Sequence, residues 1–206
     1  MRYNQKQIKL GDINTSEREL RDILKAWVAV SFAFAIVMGS SSFNFYTRFI
    51  IASLTVGTGF LLHELGHKFV AQKYGYFAEF RSFDSMLLLA IAMSFFGFII
   101  AAPGAVMISG RINEAKNGKI SAAGPVVNLI LASTFLFLVF LPFSNLSKSI
   151  VYYGFVINSW LALFNMIPFW LFDGYKILKW NKIVYGLIIA IAFTFILIQN
   201  FVAFKI

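Results

Sequence analysis

Long apolar segments constrain the fold of this chain more than any other feature. A helix needs about 20 residues to cross a bilayer, and five runs reach or approach that length: 26–43, 49–70, 121–141, 150–167 and 183–204. The chain is 59% hydrophobic and 13% charged, whereas soluble domains carry roughly 25% charged residues. We therefore predict an all-α polytopic membrane protein with about five transmembrane helices, and six as the alternative.

The apolar run 86–108 decides between five and six spans. It contains Gly97, Pro103 and Gly104, which are unfavourable inside a regular helix. Lys and Arg concentrate in cytoplasmic loops. If the run does not cross, 15 of the 18 Lys and Arg residues lie on the cytoplasmic side and 3 outside; if it crosses, the split becomes 11 against 7. We therefore predict that 86–108 is a re-entrant or membrane-embedded segment and that the amino terminus is cytoplasmic.

The composition also limits the chemistry. The net charge of +9 follows from the basic excess expected in cytoplasmic loops, so no nucleic-acid partner is expected. The chain has no Cys, which excludes thiolate nucleophiles, cysteine metal ligands and disulfides. Its environment is expected to be a lipid bilayer, and the membrane a prokaryotic plasma membrane crossed several times.

Two parts of the chain are predicted to differ in character. Residues 1–25 are polar, with Ser16 and Glu19 at capping-box spacing, and form a cytoplasmic amphipathic segment. Residues 26–206 form a membrane-embedded domain, whose motif-bearing core is about 49–180. Within it, the stretches 105–108 and 119–122 flank a polar loop with Asn117-Gly118, which predicts a short β-hairpin near 105–122.

The second apolar run ends in the pentad His63-Glu64-Leu65-Gly66-His67, which has the pattern H-E-x-x-H. On a helix, His63 and His67 lie one turn apart on one face, so that both can reach one metal ion, with Glu64 beside it as general base. These are the only two histidines in the chain. An ionisable residue at membrane depth is a functional hypothesis by default. We predict one Zn²⁺ per chain at this site.

A zinc site with two histidines needs a third protein ligand and an open position. Of the nine acids, most lie in the amino-terminal segment, close after the second run or in the polar loop. Asp173 remains, just beyond the run 150–167. Lys68 and Lys176 follow His67 and Asp173 closely, so both side chains are expected near the cytoplasmic face. The alternative for Asp173 is a helix-terminus or turn residue before Gly174.

Two asparagines are candidate substrate-binding residues. Asn128 follows Gly124-Pro125, which we expect to open the span at 121–141, and its alternative role is hydrogen bonding between helices. Asn165 precedes Pro168 at the end of the run 150–167, where the proline frees a backbone carbonyl. Either amide suits a substrate backbone or an oxyanion.

Together these motifs resemble the site-2 protease family of intramembrane zinc metallopeptidases. The resemblance rests on the order of His63-Glu64-Leu65-Gly66-His67, Gly124-Pro125-Val126-Val127-Asn128 and Asn165-x-x-Pro168-x-x-x-x-Asp173-Gly174. It implies that His63, His67 and Asp173 bind zinc, that Glu64 is the catalytic base and acid, and that Asn165 helps to hold the substrate. It also implies that the substrates are transmembrane proteins cut near the cytoplasmic side.

The expected function is therefore hydrolysis of peptide bonds within or next to transmembrane segments. A substrate helix must unwind locally, and its exposed strand is expected to add to the predicted hairpin. The alternatives are a zinc transporter, an inactive membrane scaffold and a prenyl-protein peptidase of the other membrane H-E-x-x-H type. A transporter would need ligands repeated along a path, and a scaffold has no need of Glu64.

Overall fold

The computed structural model describes residues 7–11, 13–40, 43–99 and 103–203, and most of them are helical. The α-helices in these ranges are α1 (Glu17–Val37), α2 (Phe45–Ala52), α3 (Thr58–Lys73), α4 (Asp84–Ser94), α5 (Glu114–Leu138), α6 (Asn145–Asn165), α7 (Asp173–Trp180) and α8 (Lys182–Ala203). The strands are β1 (Gln7–Leu10), β2 (Ile13–Ser16), β3 (Phe77–Ser82) and β4 (Gly104–Ser109).

Three helical stretches are long and apolar enough to cross a membrane: Phe45–Lys73, α5 and α8. Helices α1 and α6 have 21 residues each and overlap the other two predicted runs, so the count of five spans stays a prediction. The run 86–108 does not form one long helix. It contains most of α4, whose 11 residues extend about 16 Å, well short of a hydrocarbon core of about 30 Å.

Helices α2 and α3 are continuous through a π-helical turn, Ser53–Gly57. The carbonyl of Ser53 accepts hydrogen bonds from Trp27 Nε1 at 3.1 Å and Thr58 Oγ1 at 2.8 Å, so α1 is attached directly to this turn. At Gly57 a Cβ would lie 2.4 Å from Ser31 Oγ. The absence of a side chain therefore allows α1 to pack closely just before the helix that carries the histidines.

The predicted hairpin between 105–108 and 119–122 is wrong. Strand β4 pairs antiparallel with β3, with Phe80 opposite Val106, and 119–122 lies inside α5. That helix begins at Glu114 because the Asn113 side chain accepts the Lys116 N–H. Gly118, which the hairpin would place in its turn, packs in the helix so closely that a Cβ would lie 2.2 Å from Trp180 Cβ.

The amino-terminal segment also contains strands. Strands β1 and β2 form an antiparallel hairpin, so the all-α prediction is correct for most of the described chain but misses two two-stranded sheets. Ser16 Oγ accepts the Glu19 N–H at 3.2 Å, which confirms the predicted helix start. Helix α1 then runs unbroken past residue 25, and the division at 25/26 stays a prediction.

Helix α5 is the central element of the fold, because it packs against α3, α6 and α7. Pro125 lies in its interior, so the expectation that a helix begins at Gly124-Pro125 is wrong, since the Asn113 cap starts the helix earlier; where the span begins stays a prediction. Buried side chains of α5, α6, α7 and α8 form one apolar cluster, which contains Ala122, Leu129, Ala162, Met166, Ile177 and Ile188. This packing brings α3 and the start of α7 to the same side of α5.

Candidate metal centre

Three predicted ligands converge at the contact of α3, α5 and α7. His63 Nε2 and His67 Nε2 lie 3.1 Å apart, and Asp173 Oδ2 lies 3.3 Å from the first and 3.1 Å from the second. All three residues are buried or nearly so, with at most 9% of their surface exposed. Among the described residues, these three form a group of His and acidic side chains that could hold a metal ion.

The second nitrogen of each imidazole is fixed by a partner on α5. His63 Nδ1 lies 2.6 Å from Asn128 Oδ1, and His67 Nδ1 lies 2.8 Å from the Ile120 carbonyl oxygen. Both partners are acceptors, so each neutral ring carries its proton on Nδ1 and leaves the Nε2 lone pair free. A histidine that ligates a metal through one nitrogen typically donates from the other in this way.

The arrangement fits a tetrahedral zinc ion. Ligand atoms at the usual 2.0–2.1 Å from zinc lie roughly 3.3–3.4 Å from one another in a tetrahedron, close to the three separations observed. Gly124 keeps the space beside the ligands open, since a Cβ there would lie 2.5 Å from both His63 Nε2 and His67 Nε2. The donor set of two imidazoles and a carboxylate is typical of catalytic zinc sites.

Asp173 reaches the histidines because α7 begins with close packing against the end of α6. At Gly174 a Cβ would lie 2.2 Å from the Met166 carbonyl oxygen. Burial on its own raises the pKa of the Asp173 carboxyl, but the positive charge that His67 and His63 carry when protonated outweighs it and holds that pKa below its ordinary value. Asp173 is therefore a carboxylate at neutral pH, as a metal ligand must be.

Glu64 lies next to this cluster on α3. Its side chain is half-buried, and Oε2 accepts the backbone N–H of Val106 at 3.2 Å. That N–H belongs to β4 and points away from β3. The predicted general base is thus attached to the outer edge of the small sheet.

Sequence reasoning missed one side chain that supports the site. Asn158 on α6 is fully buried, and its Oδ1 accepts a hydrogen bond of 3.0 Å from Asn128 Nδ2. Its own amide donates to the Gly154 carbonyl at 2.9 Å. A relay therefore runs from α6 through Asn128 to His63. Its sequence signal is a polar amide in the middle of the apolar run 150–167.

The two asparagines predicted to bind substrate are placed differently. Asn128 is fully buried and contacts His63, a position that favours the alternative role between helices. Asn165 donates to the Leu161 carbonyl of its own helix at 2.9 Å, and no contact with the three ligands is seen. A substrate-binding role for either residue stays a prediction.

Comparison with known proteins agrees with this geometry. The chain is similar to the protein named "Putative zinc metalloprotease MJ0611" of Methanocaldococcus jannaschii, with 41% identity over 177 residues, which cover 84% of this chain and 90% of that protein. It is also similar to "Zinc metalloprotease MJ0392" of the same organism, with 28% identity over 145 residues, or 70% of this chain and 38% of that protein. No family model and no solved structure matches. Since the first similarity extends over most of both proteins, this chain belongs to a family of zinc metalloproteases.

Proposed function

We propose that this protein is an intramembrane zinc endopeptidase of the site-2 protease type, which cuts peptide bonds within or next to transmembrane segments near the cytoplasmic side. One observation carries the proposal. His63, His67 and Asp173 meet beside Glu64, and three of these four residues lie on Phe45–Lys73, a helical stretch apolar enough to cross a membrane.

The three ligands and Glu64 divide the chemistry between them. His63, His67 and Asp173 would hold the zinc ion, which would supply a Lewis acid for the attacking water and the scissile carbonyl. Glu64 removes a proton from the attacking water and delivers it to the leaving amine, as a positioned general base and acid. The Val106 N–H orients the Glu64 carboxylate for this transfer.

The substrate is expected to bind as an extended strand along β4. In an antiparallel pair, the backbone groups of alternate residues point to opposite edges, so Gly104 and Ile108 point outward together with Val106. No third strand joins this edge in the described part of the chain. A locally unwound transmembrane segment would satisfy its backbone here by strand addition, directly beside Glu64. This edge replaces the hairpin that the sequence predicted.

Zinc transport is the alternative function on which the structure bears most directly. A transporter would need successive ligand groups along a path, and the described ranges hold one such group. A scaffold role leaves Glu64, held beside the ligands by Val106, without a purpose. These observations favour hydrolysis.

The Glu64→Gln variant tests the proposed reaction. Purified protein is reconstituted with a single-span test substrate that has helix-breaking residues at the cytoplasmic end of its span, and cleavage is followed by gel. We expect the variant to keep one zinc per chain while turnover falls about 10²–10⁴-fold. Glu114→Gln, an exposed acid in the first turn of α5, is the matched control. Cleavage by the Glu64 variant at the wild-type rate would show that Glu64 is not the base.

The proposed orientation is tested by cysteine labelling, which the cysteine-free chain makes simple. Single cysteines replace exposed Arg18, Arg111 and Asn145, and sealed vesicles are treated with a membrane-impermeant maleimide. We expect Arg18→Cys and Arg111→Cys to react from one side and Asn145→Cys from the other. Reaction of Arg18→Cys and Arg111→Cys from opposite sides would show that 86–108 crosses the membrane.

A further inference from the structure

A buried ion pair outside the metal cluster joins α1 to α3. Lys68 Nζ lies 2.6 Å from Glu19 Oε2, and the two residues are 2% and 0% exposed. Thr15 Oγ1 also donates to Oε2 at 2.7 Å, and the other oxygen, Oε1, accepts the backbone N–H of Phe80 at 2.8 Å. Both carboxylate oxygens of Glu19 and the ammonium group of Lys68 therefore have defined hydrogen-bond partners.

Stability alone is a weak explanation for this pair. Burying two charges is costly, and a well-packed apolar pair of similar volume is often as stable or more so. An apolar pair has no oxygen for the Phe80 N–H, however. The distinctive contribution of Glu19 is thus a fixed acceptor for the backbone of β3.

The position of that acceptor relates it to Glu64. Phe80 and Val106 are directly opposite in the β3–β4 pair, and their N–H groups point to opposite outer edges of the sheet. Glu19 accepts one and Glu64 accepts the other. The sheet is therefore held at a single cross-strand pair between two carboxylates.

Helix α3 carries both attachments. Glu64 and Lys68 are four residues apart and lie one turn apart on one face. Glu64 binds β4 directly, whereas Lys68 binds β3 through Glu19. The sheet is thus attached to α3 twice, directly at Glu64 and through Glu19 at Lys68. These two attachments set the distance between β4 and the predicted base.

We propose that the Glu19–Lys68 pair is a clamp that holds β4 against Glu64, so that Glu19 is a positioning residue for the proteolysis proposed above, on which this inference rests. Without the Glu19 oxygen, the Phe80 N–H loses its partner and the backbone of β3 at Phe80 is no longer fixed to α1 by a hydrogen bond. Asp22 accepts a bond from Ser82 Oγ at 3.1 Å and Gln72 Nε2 on α3 donates to the Ala78 carbonyl at 2.9 Å, but neither contact is made at the Phe80–Val106 pair. The Val106–Glu64 bond, at 3.2 Å, then lengthens and the base loses its orientation.

Two double variants separate the acceptor from the charges. Glu19→Gln with Lys68→Met removes both charges and keeps an acceptor oxygen, and Glu19→Leu with Lys68→Met removes both charges and the acceptor. Neither leaves a charge buried alone. Glu17→Gln is the matched control on the same helix, since Glu17 is exposed and its ion pair with Arg21 spans 3.8 Å.

Three quantities are measured: zinc per chain, turnover per bound zinc on the single-span test substrate, and hydrogen exchange of peptides covering 77–82 and 104–109. We expect the Gln double variant and Glu17→Gln to keep turnover within about twofold of wild type. The Leu double variant is expected to bind zinc normally, to lose about tenfold in turnover because the base is misplaced, and to exchange about tenfold faster in both peptides.

Equal turnover and equal exchange in the two double variants would overturn the clamp and leave the ion pair a packing element. If the Leu double variant does not fold, Glu19→Asp replaces it. Aspartate keeps the charge for Lys68 but is shorter by about 1.5 Å, so it is expected to give the same faster exchange, and unchanged exchange would overturn the clamp. If zinc-loaded wild type cuts no test substrate, the proposed function fails, while the exchange comparison still decides whether the Glu19 oxygen holds the sheet.

Discussion

Gly124 is the position where a single methyl group is expected to destroy the metal centre. It is not a ligand, but a Cβ at this residue would lie 2.5 Å from His63 Nε2 and from both Cε1 and Nε2 of His67. Ordinary contacts between such atoms are about 3.5–4.0 Å. The Gly124→Ala substitution therefore overlaps both imidazoles by about 1 Å.

The rings cannot move away without loss. Each is fixed through Nδ1, one by Asn128 and the other by the Ile120 carbonyl. Retreat of α5 from α3 would open a contact that is tight at Gly66, where a Cβ would lie 3.2 Å from the Ala123 carbonyl oxygen. Metal–ligand distances tolerate only about 0.2 Å. A displacement several times larger is expected to weaken zinc binding at least about 100-fold, or ~2.8 kcal/mol.

Two quantities are measured on detergent-purified protein: the zinc affinity, by competition with a chelator, and the amount of zinc bound per chain. Asp173→Ala serves as the reference for a lost ligand. Gly154→Ala is the matched steric control, because its Cβ would lie 2.6 Å from the Phe135 ring, at another contact of α5. It is expected to cost about 1–3 kcal/mol of stability with zinc retained.

Gly186→Ala completes the set, since nothing lies within 4 Å of its added Cβ, and it should bind zinc like wild type. Wild-type zinc affinity in Gly124→Ala, with both controls behaving as expected, would refute the placement of the ligands against α5. Loss of zinc in both Gly124→Ala and Gly154→Ala would instead show that zinc reports only general helix packing.

Two further substitutions test the asparagines. Asn158→Leu leaves the Asn128 amide without its Oδ1 partner, so zinc affinity is expected to fall about 10–100-fold and stability by about 1–3 kcal/mol; competition titration and thermal unfolding measure both, and an unchanged affinity would remove Asn158 from the support of His63. Asn165→Ala loses a bond confined to its own helix, so zinc affinity should stay within about twofold of wild type; a changed KM for the test substrate would support substrate binding, and an unchanged KM would argue against it.

The ligands could be predicted from the sequence because their signals are local or rare. The pentad places two imidazoles on one helix face whatever the rest of the chain does. Asp173 was identified because few acids lie near an apolar run. Its contact with His67, at 3.1 Å, is also what the favoured charge distribution requires. That distribution puts His67 and Asp173 at the same face of the membrane, whereas a crossing segment at 86–108 would put them at opposite faces.

The sheet could not be predicted in this way. Asn117-Gly118 is a typical hairpin turn, and the segment 105–108 has a suitable pattern, but its partner is chosen by contacts distant in sequence. Strand β3 occupies it, while the Asn113 cap and the fit of Gly118 against Trp180 favour helix for 119–122. The contact of the Ile120 carbonyl with His67 could not be predicted either, because a backbone acceptor has no sequence signature.

Helix α3 explains why these separate pieces form one site. Its residues repeat every 3.6 positions, so a pair four apart shares a face and the next pair along is turned by about 100°. His63 and His67 therefore face α5 and Asp173, whereas Glu64 and Lys68 face the sheet and Glu19. One helix thus holds two of the three metal ligands on one face and the predicted base on the adjacent face. A change in the crossing of α3 over α5 would move both sets together, so their relative geometry is fixed within a single helical turn.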